Sequence, residues 1–131
     1  MELTLETLIN AYPSVRILNE TRGMRGVIAY RISKNIKPIL KEVEEYEEQR
    51  KKLCEEYAEK DDKGEPIIKD NAYDLSQENL KIINEELKKM REETVKIDVK
   101  KVTLEDIDIA KLSPMQLDSI EFMLNLEEED K

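Results

Sequence analysis

Ile32, Ile36, Ile39, Val43, Tyr46, Arg50, Leu53 and Tyr57 are separated by 4, 3, 4, 3, 4, 3 and 4 residues. Only an α-helix returns side chains to one side at that spacing. The run therefore predicts a helix over residues 27–60, with an a/d seam along it and Glu, Lys and Gln on its outer face. Leu80, Ile83, Leu87 and Met90 repeat the pattern at 3, 4 and 3 residues. A narrow apolar stripe must be covered by another, so the two seams predict an antiparallel helical hairpin, 27–60 against 76–93. In that register Tyr57 lies near Leu80, and Arg50 near Leu87. Ser76 supplies the N-cap of the second helix, with Leu75 and Leu80 placed as a hydrophobic staple. Pro38 removes the bond to the Lys34 carbonyl, which predicts a kink in the first helix or a break near residue 37.

Around this hairpin the signals are shorter. Leu5, Leu8, Ile9 and Tyr12 stand at helical spacing, predicting a short amphipathic helix stopped near Pro13. The alternation of Leu3 and Leu5 with polar residues fits a strand start instead. Val15, Ile17 and Leu18 follow, and Gly23 to Gly26 reads as a turn. Residues 61–75 form a long connection in which Ile67 and Ile68 suggest a short strand. Val95, Ile97 and Val99 alternate with polar residues and predict a second strand. It must pair with residues 66–69, with the start of the chain, or with another subunit, because a lone strand is unstable. Thr103 to Ile109 reads as a turn or short helix. Ser113, Pro114 and Gln116 mark a helix start with a capping box, Leu112 and Leu117 a second staple. Leu117, Ile120 and Leu124 give that last helix its buried stripe, and an acidic tail at Glu127–Asp130 is expected to fray into solvent. The predicted fold is a mainly α single domain of residues 1–131. It combines the long hairpin with a short N-terminal helix, a small β element and, over 94–131, a strand plus C-terminal helix.

Composition explains why seams must suffice. Charged residues make up 40% and hydrophobic residues 39% of the chain, with one Phe and no Trp, too little aromatic mass for a thick core. No stretch approaches the roughly 20 apolar residues of a membrane span. Residues 1–12 lack the basic start and apolar run of an export signal. Cys54 is the single cysteine, so neither a disulfide nor a zinc site is expected within the chain, and a reducing cytoplasm fits. With no histidine, Ser-His and Cys-His nucleophile schemes are excluded. The expectation is a protein that is not an enzyme and carries no cofactor or metal. The net charge of −9 divides into +4 over residues 1–41 and −13 over the remainder. That polarity allows different partners at the two ends.

Several motifs weaken when their chemistry is followed. The loop 59–70 places Asp61, Gly64 and Asp70 at EF-hand positions 3, 6 and 12, but Lys63 stands where an oxygen ligand belongs. Asp118-Ser119-Ile120 is similar to the phosphopantetheine acceptor of acyl carrier proteins, yet Ser119 falls inside a helix already capped at Ser113. Carboxylate pairs such as Glu44/Glu45 and Glu55/Glu56 lie on outer helix faces. Arg50 occupies a seam position. It either carries its guanidinium to the seam edge, toward Glu86 or Asn84, or specifies register in an oligomer. Arg22, Arg25, Arg31 and Lys34, with Arg16 and Lys37, form a loose basic region. It suits an acidic protein partner better than nucleic acid, given the overall charge.

One resemblance covers nearly the whole chain. Its segments are, in order, Leu8-Ile9-Asn10-Ala11-Tyr12-Pro13, Tyr30-Arg31-Ile32-Ser33-Lys34-Asn35-Ile36, Glu47-Glu48-Gln49-Arg50 and Asp61-Asp62-Lys63-Gly64. Glu85-Glu86-Leu87, Val95-Lys96-Ile97-Asp98 and the closing helix from Leu112 to Leu124 follow. The pattern resembles a family of small uncharacterised proteins of phages and prophages of Gram-positive bacteria. The resemblance implies an accessory protein acting in the bacterial host cytoplasm or on the virion, and it implies no catalytic site. The functional expectation is a non-enzymatic interaction protein with an unidentified phage or host protein partner, able to homo-oligomerise, without membrane or nucleic-acid contact. Its candidate interaction residues are Arg50, Arg22, Arg25, Arg31 and Lys34. The alternative is a host-directed anti-defence inhibitor whose acidic body imitates nucleic acid. A metal-dependent carboxylate enzyme is the least favoured class.

Overall fold

The computed structural model describes residues 1–69 and 72–126. The fold is mainly α, with the elements β1 (Glu2–Thr4), α1 (Leu5–Glu20), α2 (Gly26–Tyr57), β2 (Ile68–Lys69), β3 (Ala72–Tyr73), α3 (Gln77–Glu92), β4 (Thr94–Lys96), α4 (Leu104–Ile107) and α5 (Pro114–Ser119). They form two compact units, residues 1–43 with 94–131, and residues 44–93. The acidic tail anticipated at Glu127–Asp130 lies outside the described residues.

In the first unit, the opening of the chain is both of the elements its sequence allowed. Glu2–Thr4 is a strand, and Thr4 then turns the chain into α1 by accepting a hydrogen bond from the Thr7 N–H at 3.2 Å. That strand is the partner β4 requires. The two pair antiparallel with Leu3 opposite Val95, and Met1 and Ile97 extend the ladder through both of their backbone groups. The strand expected at Val95–Val99 is thus shorter, ending at Lys96.

Helix α1 does not stop near Pro13 but runs on to Glu20, so the N-terminal helix is longer than the sequence predicted. Leu5, Leu8, Ala11, Ser14, Val15 and Leu18 form one buried face that continues past the proline. Pro13 itself faces solvent and lacks the N–H that would bond the Ile9 carbonyl. Burial over sixteen residues outweighs one missing bond. The same holds for α2, which is continuous through Pro38 rather than broken near residue 37. In its first half Ile28, Ile32, Ile36 and Ile39 enter the core with Leu8, Val15 and Leu18.

Gly23, at φ +94°, makes the turn between α1 and α2, and a Cβ there would stand 2.7 Å from Ile109 Cδ1. The remainder of the unit closes over these helices. Thr103 and Asp106 form a capping box on α4, and Ser113 and Gln116 form the expected one on α5. The C-terminal helix is only Pro114–Ser119, followed by a tight turn at Glu121–Met123. Val102 bridges to Leu124 through bonds at 3.0 and 2.8 Å, and Leu124 is extended instead of continuing the helix. Ile120, Met123 and Leu124 are buried there.

The second unit is the helical hairpin. α3 runs antiparallel to the second half of α2: Asn79 Nδ2 donates to the Tyr57 carbonyl at 3.0 Å, and Arg91 Nη1 to the Tyr46 hydroxyl at 2.9 Å. These two rungs match the register expected from the seams. Ser76 caps α3, accepting from the Asn79 N–H at 3.1 Å. The connection between the helices is folded. Asp61 Oδ1 accepts from the Lys63 and Glu65 N–H groups, Gly64 takes φ +80°, and Glu59, Ile67 and Asp74 exchange backbone bonds. Ile68–Lys69 is a strand, as Ile67 and Ile68 suggested, and pairs with Ala72–Tyr73. Only part of the predicted seam is sealed. Of its members here Tyr46, Ile83 and Leu87 are buried and Leu53, Tyr57 and Met90 half-buried, whereas Arg50 is exposed and Leu80 is 43% exposed.

Candidate functional site

Two surfaces bring together the residues singled out by the sequence. The first is a groove within the hairpin unit. On α2, Glu47, Arg50, Lys51 and Cys54 recur at the same helical stripe, and on α3 Leu80, Ile83, Asn84 and Leu87 do so. Between the two stripes lies an open groove of about 680 Å³, lined also by Ala72, Tyr73 and Leu75. Its apolar floor comes from the α3 side and its charged rim from α2. The exposure of Leu80 follows from this opening: it lines the groove instead of lying beneath a covering side chain.

Arg50 sits on that rim and not in a buried seam. Neither Glu86 nor Asn84 receives it. Its Nε donates to Glu47 Oε2 at 2.9 Å, one turn back on the same helix. The bond to Glu47 outweighs the effect of partial burial and raises the guanidinium pKa further. A contact at i, i−3 needs no cross-helix reach, so it wins over the longer one. In the same lining Tyr73 donates its phenol proton to Glu55 Oε1 at 2.8 Å, and that bond raises the phenol pKa above its ordinary value.

The second surface belongs to the other unit. Arg25 Nη2 meets Asp106 Oδ1 at 2.9 Å, and Arg31 Nη1 donates to the Lys101 carbonyl at 3.2 Å. Both arginines line a polar notch of about 350 Å³ with Thr103, Asp106 and Asn125. Burial pushes the Asp106 carboxyl pKa up, but the Thr103 backbone N–H, the Arg25 guanidinium and the Thr103 hydroxyl together bring it below the usual carboxylate value. Lys34 lies over the Tyr30 ring, 5.2 Å from its centroid. Arg22 is exposed in the turn before α2. The candidate basic residues thus separate: Arg25 and Arg31 are tied into the notch, Lys34 stands on the open face of α2, and Arg50 belongs to the other unit.

Ser119 ends α5 in contact with α1. It donates to the Gln116 carbonyl at 2.6 Å, so the Ser14 hydroxyl, 2.9 Å away, donates to it. A hydroxyl engaged on both sides between two helices is not displayed for a prosthetic arm. Among the described residues, no group of three or more His, Cys, Asp or Glu is placed to hold a metal ion, and no helix is long and apolar enough to cross a membrane. Lys41 is the member of the basic set that the sequence reading missed; its spacing of four from Lys37 was the available signal. No protein-family model, no curated protein and no solved structure matches this chain.

Proposed function

We propose that this chain is a non-enzymatic interaction protein, encoded by a phage or prophage of Gram-positive bacteria, that engages a protein partner in the host cytoplasm through its helical surfaces. The observation that carries the reading is the open groove of residues 44–93, in which exposed Leu80 stands beside the buried Ile83 and Leu87 on one side and Glu47, Arg50 and Lys51 stand along the other. An apolar strip beside a charged rim is the form in which a groove accepts an amphipathic helix. The phage origin is supported by the resemblance in segment order from Leu8 to Leu124. The absence of histidine from the chain favours binding over acid–base chemistry.

Imitation of nucleic acid by the acidic body is the weaker reading. It needs carboxylates clustered without counter-charge, and on these helices Lys52 pairs with Glu48 at 3.8 Å and Lys89 with Glu86 at 3.6 Å. Affinity capture from the host with the wild-type chain and Leu80→Asp tests the proposal. A protein retained by the first and lost by the second is the expected result. Turnover of a metabolite or nucleic acid by the purified chain, abolished by replacing one carboxylate, would overturn it.

A further inference from the structure

The face of α2 opposite the core carries a second pattern. Ile28, Ile32, Ile36 and Ile39 point inward, while Val27, Tyr30, Lys34, Lys37 and Lys41 stand at spacings of 3, 4, 3 and 4 on the other side, all exposed. Val27 and Tyr30 are 52% and 60% exposed and stand one turn apart on that face. In a chain with 31 acidic residues, none occurs between Glu20 and Glu42. Lys37 and Lys41 form no ion pair among the described residues, and Lys34 has only the Tyr30 ring. The result is a cationic stripe with an apolar head, about 16 Å from Tyr30 to Lys41 at the helical rise.

We infer that this stripe docks an acidic amphipathic helix of a partner protein, its carboxylates facing Lys34, Lys37 and Lys41 and its apolar end resting on Val27 and Tyr30. Pitch and boundaries choose this occupant. A helix with Glu at three- and four-residue intervals presents charge at the same rise as the lysines, as the flanking positions of paired helices do. A nucleic-acid strand extends beyond the stripe, where Glu42, Glu44 and Glu45 follow directly on the same helix and repel phosphate. A bilayer requires apolar side chains along the stripe, and its middle is lysine alone. The inference rests on the interaction-protein reading but uses a different surface from the groove.

The test uses the full chain and a synthetic helical peptide with Glu at heptad-spaced positions and Leu and Ala elsewhere. A peptide of identical composition with scrambled Glu positions serves as control. The ordered peptide is expected to bind at low salt and the scrambled one more weakly. Lys34→Glu/Lys37→Glu/Lys41→Glu is expected to lower affinity about tenfold or more, by the worth of three surface charge pairs. The triple Lys→Gln variant gives an intermediate loss, and an unchanged circular dichroism spectrum verifies its fold. Leu80→Asp leaves this binding intact, which separates failure of the stripe from failure of the groove. Equal binding of both peptides, no binding, or no effect of charge reversal overturns the inference. Tighter binding of a single-stranded oligonucleotide or of phosphatidylserine vesicles through the same lysines overturns it as well.

Discussion

Asn35 is the buried polar residue on which the first unit's loop hangs. Its Nδ2 donates to the Lys100 carbonyl at 2.8 Å and its Oδ1 accepts from the Lys100 N–H at 2.7 Å. One side chain therefore satisfies both backbone groups of a residue that belongs to no strand. Asn35→Leu keeps the branched shape at larger volume and leaves both groups unpaired, an expected loss of about 3 kcal/mol measured by urea unfolding. At Asp106 the sign concerns pH. Its folded pKa is depressed, so the carboxylate contributes stability above its unfolded value of about 3.9, and this is lost as pH falls through the folded value. Asp106→Asn should remove that component. Thermal unfolding below about pH 4 will show a shallower acid slope in the variant than in the wild type. Lys111 adopts φ 55° after the turn Asp108–Ala110, a left-handed conformation that costs a non-glycine residue. Lys111→Gly relieves that cost against a larger unfolded-state entropy, for a net gain of about 0.5 kcal/mol on the same urea scale.

For whole elements, what the sequence disclosed and what it concealed divide along one physical line. Helix period, caps and strand alternation are properties of contiguous residues. The seams, the caps at Ser76 and Ser113 and the hairpin register were accordingly legible in the sequence. Competition between local and tertiary terms was not. Pro13 reads as a stop because it removes one bond, but whether a buried face continues beyond it depends on what packs there. Since that proline is exposed and inside α1, Pro13→Ala should restore the bond to Ile9 and raise stability by about 1–3 kcal/mol. Arg50 was legible as an anomaly, but its partner was not, because several acids lay within reach and only geometry chose Glu47. The candidate site suffers the same limit: each stripe is visible in the sequence, whereas the groove between two stripes exists only after they pair. Leu80 and Leu87 measure the difference. Both obey the period, yet Leu87→Ala should cost about 2–4 kcal/mol and Leu80→Ala under about 1, because one is buried and the other lines open space.

Across the whole molecule, the two units divide the apolar content unequally. The first buries a contiguous cluster running from Leu8 to Leu124, whereas among the described residues of the hairpin unit the buried hydrophobics are Tyr46, Ala58, Ile83 and Leu87. Stability follows buried apolar area, so the smaller core should open at lower free energy, as a cooperative segment. Charge works in the same direction. The hairpin unit holds seventeen acids against ten bases, and this excess repels itself in the compact state. Helix α2 is common to both units, so its amides report on each. Native-state hydrogen exchange should find α2 protected strongly up to about Val43 and weakly beyond it, with α3 exchanging alongside the weaker half. Leu87→Ala should accelerate exchange over residues 44–93 and leave α1 unchanged. Uniform acceleration through α1 and α3 together would show instead that the chain opens as one body, and that the apolar clusters are too strongly linked for the hairpin to move alone.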